Sequence, residues 1–258
     1  MNSLSAQQID KFIQDGYVKI NNAVPRNTCD EIREILWKDI DVDRDDRSTW
    51  TKPVIRLMFY NQEPFCKAVN MPVLRNAYDQ LAGRGRWIPR NSIGTFPVRF
   101  PSITDPGDTG WHVDSSFPGP DATDFSTWRV NVFSRGRALL MLFLFSDIDS
   151  NDAPTIIRNG SHRDVARILG PHGEAGLSFM ELAAELYRTE HRNTSLATGA
   201  AGTVYLCHPF IVHAAQPHHG TFPRFLAQPS LELKGQLRVI GQPLDDCPVA
   251  RAIQLALK

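Results

Sequence analysis

Short apolar runs separated by glycine, proline, aspartate and serine fill the chain from about residue 92 onward. Runs of this length with turn-forming residues between them are typical of β-strands in antiparallel sheets. The pattern predicts strands at 92–100, 128–133, 138–146, 154–158, 201–208, 210–215 and 224–233. A stretch with helical periodicity, 161–190, interrupts them.

Helical periodicity dominates the first 40 residues instead. Ser5 followed by Gln8 predicts a capping box, and Gly16 is the expected end of this first helix. A short strand at 17–20 and a second helix opened by Pro25 follow. Helices that precede many short strands favour an antiparallel barrel or jelly roll with N-terminal helices packed on it.

The composition excludes several classes of protein. The 258 residues contain 28 basic and 28 acidic side chains, so nucleic-acid or anionic-membrane binding has no electrostatic support. The longest apolar run, 138–145, is too short to span a bilayer, and the N-terminus lacks the pattern of a signal peptide. Four cysteines without a C-x-x-C pair fit reduced thiols. We therefore expect a cytoplasmic monomer or homodimer that binds a small molecule, and neither nucleic acid nor a membrane.

His112 and Asp114 are two positions apart in the segment Trp111-His112-Val113-Asp114. Residues i and i+2 of a strand point to the same face, so both side chains can face the interior of a barrel. Two imidazoles and one carboxylate form the facial triad of non-heme Fe(II) oxygenases, which leaves further metal positions open. Because an H-x-D pair is common, and a core histidine paired with an aspartate is the alternative, the hypothesis needs a third ligand from a distant strand.

The apolar segment 201–215 offers two contenders for this third ligand, His208 and His213. Pro209 breaks the strand between them, so the alternation of faces does not decide. Arg224 follows His213 by eleven positions, and across a predicted hairpin it would lie one side-chain length from a metal held by His213. A guanidinium there can bind the carboxylate of a co-substrate in bidentate fashion. This spacing favours His213, and a structural salt bridge is the alternative role of Arg224.

At this point the chain resembles the phytanoyl-CoA dioxygenase family of Fe(II)/2-oxoglutarate oxygenases. The W-H-x-D segment 111–114 and the distal histidine with its arginine eleven residues on match the family pattern. Segment 146–154 followed by Asn159-Gly160-Ser161-His162 is similar to the family's "D-x-x-x-x-N-G … P-G-S-H" region. The opening 4–24 is similar to its "helix, D-G-y-v-v" entry.

The resemblance covers roughly residues 4–235 and implies a mainly β fold with flanking helices, built on a double-stranded β-helix (jelly-roll) core. It implies a single oxygenase domain over 1–258. Its helical N-terminal part would cover about 1–90, its jelly-roll core about 91–235, and its C-terminal extension 236–258. Two turn positions depart from the family pattern, at Asp152-Ala153 and at Asn159, and neither is a ligand.

The resemblance also implies the chemistry of the site. Fe(II) would bind His112, Asp114 and His213, and Arg224 would hold the distal carboxylate of 2-oxoglutarate. Asn131, in strand context, is a further candidate to donate a hydrogen bond to the 2-oxoglutarate carboxylate. With O2, such an enzyme hydroxylates an unactivated C–H bond of a small-molecule metabolite and releases succinate and CO2. Related halogenases carry alanine or glycine in place of the aspartate, so the carboxylate here favours hydroxylation or desaturation.

Further residues are candidates for contact with the substrate. Arg99 and Arg129 stand in apolar strand context and are candidates for an anionic substrate group, with rim salt bridges as the alternative. His208 is a pocket candidate, with a satisfied core histidine as the alternative. Segments 115–135 and 161–195 are the expected covers of the substrate. The aromatic residues that could wall the site are Trp111, Phe117, Trp128, Phe133 and Phe210.

Two other functions remain open from the sequence. One is a metal-dependent cupin-type enzyme that uses no 2-oxoglutarate, against which Arg224 argues. The other is a non-catalytic binding barrel, against which the intact set of predicted metal ligands argues.

Overall fold

The computed structural model of the protein describes residues 4–258. Seven α-helices and twelve short strands are present in this part of the chain. The helices are α1 (Ala6–Asp15), α2 (Arg26–Trp37), α3 (Glu63–Val69), α4 (Pro72–Ala82), α5 (Ser161–Leu169), α6 (Phe179–Glu185) and α7 (Pro248–Leu257). Single 3-10 turns lie at Arg47–Thr49, Phe125–Thr127, Gly170–His172 and Leu186–Thr189.

All strand pairings are antiparallel. The strands are β1 (Tyr17–Ile20), β2 (Val54–Leu57), β3 (Phe96–Arg99), β4 (Arg129–Val130), β5 (Leu139–Leu144), β6 (Ile156–Arg158), β7 (Leu177–Ser178), β8 (Thr194–Leu196), β9 (Val204–Cys207), β10 (His213–Ala214), β11 (Leu226–Ala227) and β12 (Ser230–Leu231). The largest sheet has the order β1-β9-β5-β11, with β12 also on β5. The smaller sheets are β10-β6-β8, β2-β3 and β4-β7.

Strand β5 is the centre of the fold, and all six of its residues are buried. Its side chains alternate between two separate clusters of buried apolar residues. Leu139, Met141 and Phe143 belong to the larger cluster, whereas Leu140 and the other even-numbered residues belong to the smaller one. A strand that is covered on both faces needs apolar residues at every position, which explains the uninterrupted apolar run in the sequence.

The predicted N-terminal elements are confirmed. Ser5 Oγ accepts a hydrogen bond from Gln8 N at 3.2 Å, and Ser5 N donates to Gln8 Oε1 at 2.9 Å, which completes the capping box. Gly16 ends α1 with φ 88°, a left-handed conformation that glycine adopts without steric cost. The chain then enters β1, which pairs with β9, so the N-terminal segment becomes the edge of the main sheet.

Several elements were not predicted individually. Helices α3 and α4 lie in the N-terminal part, about 1–90, that the resemblance implied to be helical, but no bounds were assigned to them. Strand β2 also lies in that part, and helix α7 lies in the C-terminal extension, to which no structure was assigned. Helix α7 begins at Pro248, the favoured first position of a helix, and buries Val249 and Ile253 completely or nearly so. It packs against α1, α4 and α5, so the C-terminal extension closes over the N-terminal helices.

The predicted hairpin between His213 and Arg224 is wrong. Strand β10 pairs with β6, whereas β11 pairs with β5, so the two segments lie in different sheets. Loop 215–223 passes from one sheet to the other. In residues 4–258, no helix is both long enough and apolar enough to cross a lipid bilayer.

Candidate active site

A pair of backbone hydrogen bonds brings two of the predicted ligands together. His112 N donates to His213 O at 3.0 Å, and His213 N donates to His112 O at 3.0 Å. This is a hydrogen-bonded antiparallel pair, in which opposite side chains are close neighbours on one face. The two imidazole ring centroids are 4.3 Å apart. The side chain of Asp114, two positions after His112, points to the same face as the side chain of His112, which the alternation of side chains in a strand predicts.

The two rings present their Nε2 atoms to the carboxylate. His112 Nε2 lies 3.6 Å from Asp114 Oδ1, and His213 Nε2 lies 3.8 Å from the same oxygen. One ligand atom from each of the three residues lies within 4.8 Å of the others. These three side chains therefore form a compact set of two nitrogens and one oxygen, of the kind that binds Fe(II) in a facial triad.

Backbone carbonyls orient both imidazoles. The Nδ1 atom of His112 lies 2.8 Å from Gly110 O, and the Nδ1 atom of His213 lies 3.3 Å from Ile211 O. A carbonyl can only accept, so Nδ1 carries the proton in each ring and Nε2 keeps a lone pair for a metal. Buried His213 Nε2 has no hydrogen-bond partner among residues 4–258. A buried polar atom without a partner indicates a missing ligand or ion, and this donor set fits a divalent cation.

The site contains a cation that the sequence analysis missed. Arg137 Nη1 donates to Asp114 Oδ2 at 2.9 Å, and Arg137 Nη2 donates to Ser115 O at 2.7 Å. Burial alone would raise the pKa of Asp114, but Arg137, followed by the two histidines, lowers it to about 2. Burial lowers the pKa of His213 to about 4, helped by His112. At neutral pH the ligand set is therefore one carboxylate anion and a neutral imidazole at 213, the form that binds metal.

A cavity of about 450 Å³ opens on this ligand set. Arg99 and Arg224 lie in its wall together with His112, Asp114 and Trp111. The segments predicted to cover the substrate also contribute. Their lining residues are Phe125 from 115–135 and Phe179, Met180 and Ala183 from 161–195.

Strand pairing with β3, rather than a hairpin, places Arg224 at this cavity. Arg99 N donates to Arg224 O at 3.2 Å, and Arg224 N donates to Arg99 O at 2.8 Å. The Arg224 side chain donates to Pro97 O at 3.0 Å and to Ala153 O. Its Nε atom, like that of Arg99, has no partner within the described part of the chain. Arg224 is only 2% exposed.

Arg224 is a buried cation without a carboxylate on its own guanidinium. Burial, and after it the nearby charge of Arg99, lowers its pKa to about 9, while Asp108 opposes this effect. The side chain is still charged at neutral pH. Asp108 instead accepts a hydrogen bond from Arg99 at 2.5 Å and pairs with Arg56. A buried charge is costly unless it is paired, so this end of the cavity is suited to an anion.

A second cavity, of about 700 Å³, adjoins the first. Asp114, Phe125 and Gln228 line both. Phe117 and Trp128, predicted to contact substrate, lie in the wall of this second cavity. Asp114 therefore stands between two adjoining cavities, one lined by Arg224 and one lined by Phe117.

Five predicted residues line neither cavity, and they are Arg129, Asn131, Phe133, His208 and Phe210. Asn131 is fully engaged elsewhere, because its amide nitrogen donates to Glu174 O at 3.0 Å and its amide oxygen accepts from Arg135 N at 3.1 Å. Arg129 donates to the carbonyls of Ala175 and Gly176. Asn131 is therefore not part of the Arg224 end of the first cavity, and Arg129 is bound to the two residues that precede β7.

His208 is the satisfied core histidine that the sequence left as an alternative. Its Nε2 faces Val249 O at 3.2 Å, and its Nδ1 accepts from Phe210 N at 3.1 Å. The ring packs against Phe12 and His162 beneath α1 and α7. Phe210 packs on His208 in this core, and Phe133 packs on the main core, so neither walls the site.

Two signals in the sequence pointed to the residues that were missed. Arg137 immediately precedes the uncharged run 138–145, and a charge at the start of a doubly buried strand needs a partner. Asp108 lies in the turn-rich segment just before the H-x-D pair. Neither pattern shows which residue pairs with Arg137 or Asp108, because the partners, Asp114 and Arg99, lie on other segments.

Solved structures with the same fold include 2-oxoglutarate-dependent enzymes. The α-ketoglutarate-dependent carbocyclase SnoK from nogalamycin biosynthesis has a TM-score of 0.64 and 18% identity, over 91% of this chain and 86% of that chain. HygX from Streptomyces hygroscopicus, with nickel, 2-oxoglutarate and hygromycin B bound, has a TM-score of 0.56 and 15% identity, over 90% and 88%.

EctD from S. alaskensis, with 2-oxoglutarate and 5-hydroxyectoine, has a TM-score of 0.54 and 19% identity, over 89% of this chain and 76% of that one. These likenesses show a shared fold. No protein-family model and no curated protein sequence matches the chain. The resemblance to the phytanoyl-CoA dioxygenase family therefore stays a prediction.

Proposed function

We propose that the protein is an Fe(II)/2-oxoglutarate-dependent oxygenase that hydroxylates an unactivated C–H bond of a small molecule. The observation that carries this proposal is the convergence of His112, Asp114 and His213 beside a cavity that contains a buried, unpaired arginine. The shared fold with enzymes whose structures hold 2-oxoglutarate supports it. We infer a single domain with a double-stranded β-helix core.

In this proposal each residue of the chain has a distinct task. His112, His213 and Asp114 would hold the iron, and the two backbone carbonyls keep the rings in the tautomer that leaves Nε2 free. Bound iron with 2-oxoglutarate and O2 supplies oxidation of a C–H bond with release of succinate and CO2. Arg137 holds Asp114 Oδ2, so that Oδ1 remains turned toward the histidines.

The charges around the first cavity favour an anion. Three guanidiniums, those of Arg56, Arg99 and Arg224, line it together with two carboxylates. Asp108 is paired with Arg56 and Arg99, and Asp114 is paired with Arg137. Arg224 is the anchor for the distal carboxylate, since its guanidinium alone among the three has no carboxylate within salt-bridge distance in residues 4–258. Arg99, predicted as a substrate contact, instead lies beside this anchor.

A carboxylate ligand at 114 supports oxygen transfer rather than halogenation, since Asp114 occupies the position that related halogenases leave free. A metal-dependent enzyme without an oxo acid is the second candidate. It leaves Arg224 without a counter-charge, and the structure therefore favours the first candidate. A non-catalytic barrel would not explain why the buried Nε2 atom of His213 has no hydrogen-bond partner in the described residues.

An anaerobic titration with Fe(II) and 2-oxoglutarate tests the proposal. The expected result is the weak visible charge-transfer absorption of the ternary complex, followed by succinate release when O2 is admitted. His213→Ala should abolish both signals. Arg188→Ala removes an exposed arginine that pairs only with Glu185 in the described chain and should keep both. Absence of Fe(II) binding by the unsubstituted protein would overturn the proposal.

A further inference from the structure

The second cavity has its own charge and its own aromatic wall. It joins the metal-ligand set at Asp114 and is walled by Phe59, Phe117 and Trp128. On the proposed function, the co-substrate occupies the first cavity beside Arg224. The second cavity is then the space left for the molecule that is oxidised.

Three arginines line this second cavity, and two of them are already engaged. Arg137 is bound to Asp114 and Ser115. Arg90 donates to Ser230 O at 2.6 Å and to Ser92 O at 3.2 Å, and its Nη1 lies 3.7 Å from Glu232. Each of these two cations therefore has a carboxylate neighbour and backbone acceptors.

Arg135 differs from the other two. Its backbone N–H donates to Asn131, but its guanidinium has no hydrogen-bond acceptor and no carboxylate partner in residues 4–258. The guanidinium carbon lies 4.9 Å from the centroid of the Phe117 ring. Stacking on an aromatic face positions a guanidinium while leaving its N–H groups free. Arg135 is exposed, so the second cavity has one positive charge that is hydrated and that no group of the described chain balances.

The rim of the same cavity is apolar. Phe59 is 59% exposed and Phe125 is 53% exposed, and both line the cavity. Large apolar side chains that stand exposed together around a cavity mark a binding surface. These rings offer contact to an apolar or aromatic body, whereas Arg135 offers contact to an anion.

We propose that the substrate is an amphipathic monoanion, with a carboxylate, sulfonate or phosphodiester group on Arg135 and an apolar body against Phe59, Phe125 and Trp128. Two oxygens of such a group can accept parallel hydrogen bonds from a guanidinium, which gives orientation as well as affinity. The single unbalanced charge sets the preference for one negative charge on the substrate. The inference rests on the proposed function only for the statement that the bound anion is the substrate.

Two fluorescent probes that differ in one group test this inference. The probe 8-anilinonaphthalene-1-sulfonate carries an apolar ring system and one anionic group, and N-phenyl-1-naphthylamine is its neutral analogue. Metal-free protein is titrated with each probe without 2-oxoglutarate, so the result does not depend on whether the chain is an oxygenase. The variants are Arg135→Gln and, as a matched control, Arg188→Gln, with circular dichroism and thermal unfolding recorded for both.

The expected result is a Kd for the sulfonate probe that is higher in Arg135→Gln by about fivefold or more, as for loss of a typical hydrogen bond of about 1 kcal/mol. The neutral probe should bind both variants and the unsubstituted protein equally. Arg188→Gln should change neither titration. An unchanged Kd for the sulfonate probe in Arg135→Gln, or an equal loss for both probes, would overturn the inference. If the unsubstituted protein forms no succinate in the separate Fe(II) assay, that result contradicts the proposed function and leaves the anion site at Arg135 in place.

Discussion

Replacement of Arg224 by methionine should stabilise the ligand-free protein while it removes binding of 2-oxoglutarate. Methionine keeps an unbranched side chain of comparable length but carries no charge. The gain in stability and the loss of binding follow from the same feature. Arg224 is a charged, buried guanidinium that has no carboxylate partner in the described residues.

The size of the effect follows from the pKa of Arg224. A lowering from 12.5 to about 9 corresponds to about 5 kcal/mol of destabilisation of the charged form. Because the folded-state pKa is the lower one, this cost develops as the pH falls from 12.5 to 9 and is fully present at neutral pH. Loss of the donors to Pro97 O and Ala153 O opposes the gain by about 1–2 kcal/mol each. The expected net gain in unfolding free energy is about 2 kcal/mol.

Urea denaturation at pH 7 measures the first half of the prediction. Thermal unfolding with added Ni(II) and 2-oxoglutarate measures the second half. The unsubstituted protein should gain about 2.7 kcal/mol at a co-substrate concentration one hundred times its Kd, and Arg224→Met should gain nothing beyond the effect of the metal. As a control, Arg188→Met should leave both measurements unchanged.

The contradicting result is that ligand-free Arg224→Met unfolds more easily than the unsubstituted protein, by 2 kcal/mol or more. That outcome would mean that Arg224 is an ordinary structural cation, whose hydrogen bonds outweigh the cost of its burial. The co-substrate response would then need another anchor.

Two further predictions concern histidines. His213→Gln should weaken binding of Co(II) by at least about 100-fold, because the variant loses one of three metal ligands. The visible absorption of Co(II) measures this binding, and His172→Gln, which alters a histidine outside the ligand set, is the control. Equal affinities of the two variants for Co(II) would contradict the ligand assignment. Burial lowers the pKa of His162 to about 3, so the unfolded chain takes up this proton first as the pH falls below 6.5. The native protein should therefore lose about 1.4 kcal/mol of stability per pH unit between pH 6 and pH 4 relative to His162→Gln, and parallel pH profiles of the two proteins in urea denaturation would count against it.

Local patterns in the sequence predicted much of this structure. The H-x-D spacing placed His112 and Asp114 on one face, because strand alternation is a property of the backbone itself. The capping box and Gly16 defined α1 for the same kind of reason. The apolar run at 138–145 became the doubly buried strand β5. In each case the deciding interaction lies within a few residues of the pattern.

Pairing between distant segments is where the predictions failed. Arg224 lines the expected cavity, but β3 places it there and a hairpin does not, since no local feature specifies which sheet a strand joins. His208 and Asn131 occupy apolar segments that look like pocket walls, yet backbone atoms of Val249 and Glu174 satisfy them. The helix at 248–257 depends on the surface of α1, α4 and α5, which the sequence of the helix does not show.

The mutual backbone bonds of positions 112 and 213 have a consequence for how such a centre can change over time. Main-chain amides and carbonyls are the same in nearly every residue type, so the two segments remain joined whatever side chains they carry. Ligands at these positions can therefore be exchanged or lost while the framework persists. The chemistry of the centre is thus free to diversify, or to disappear, without a new architecture having to arise.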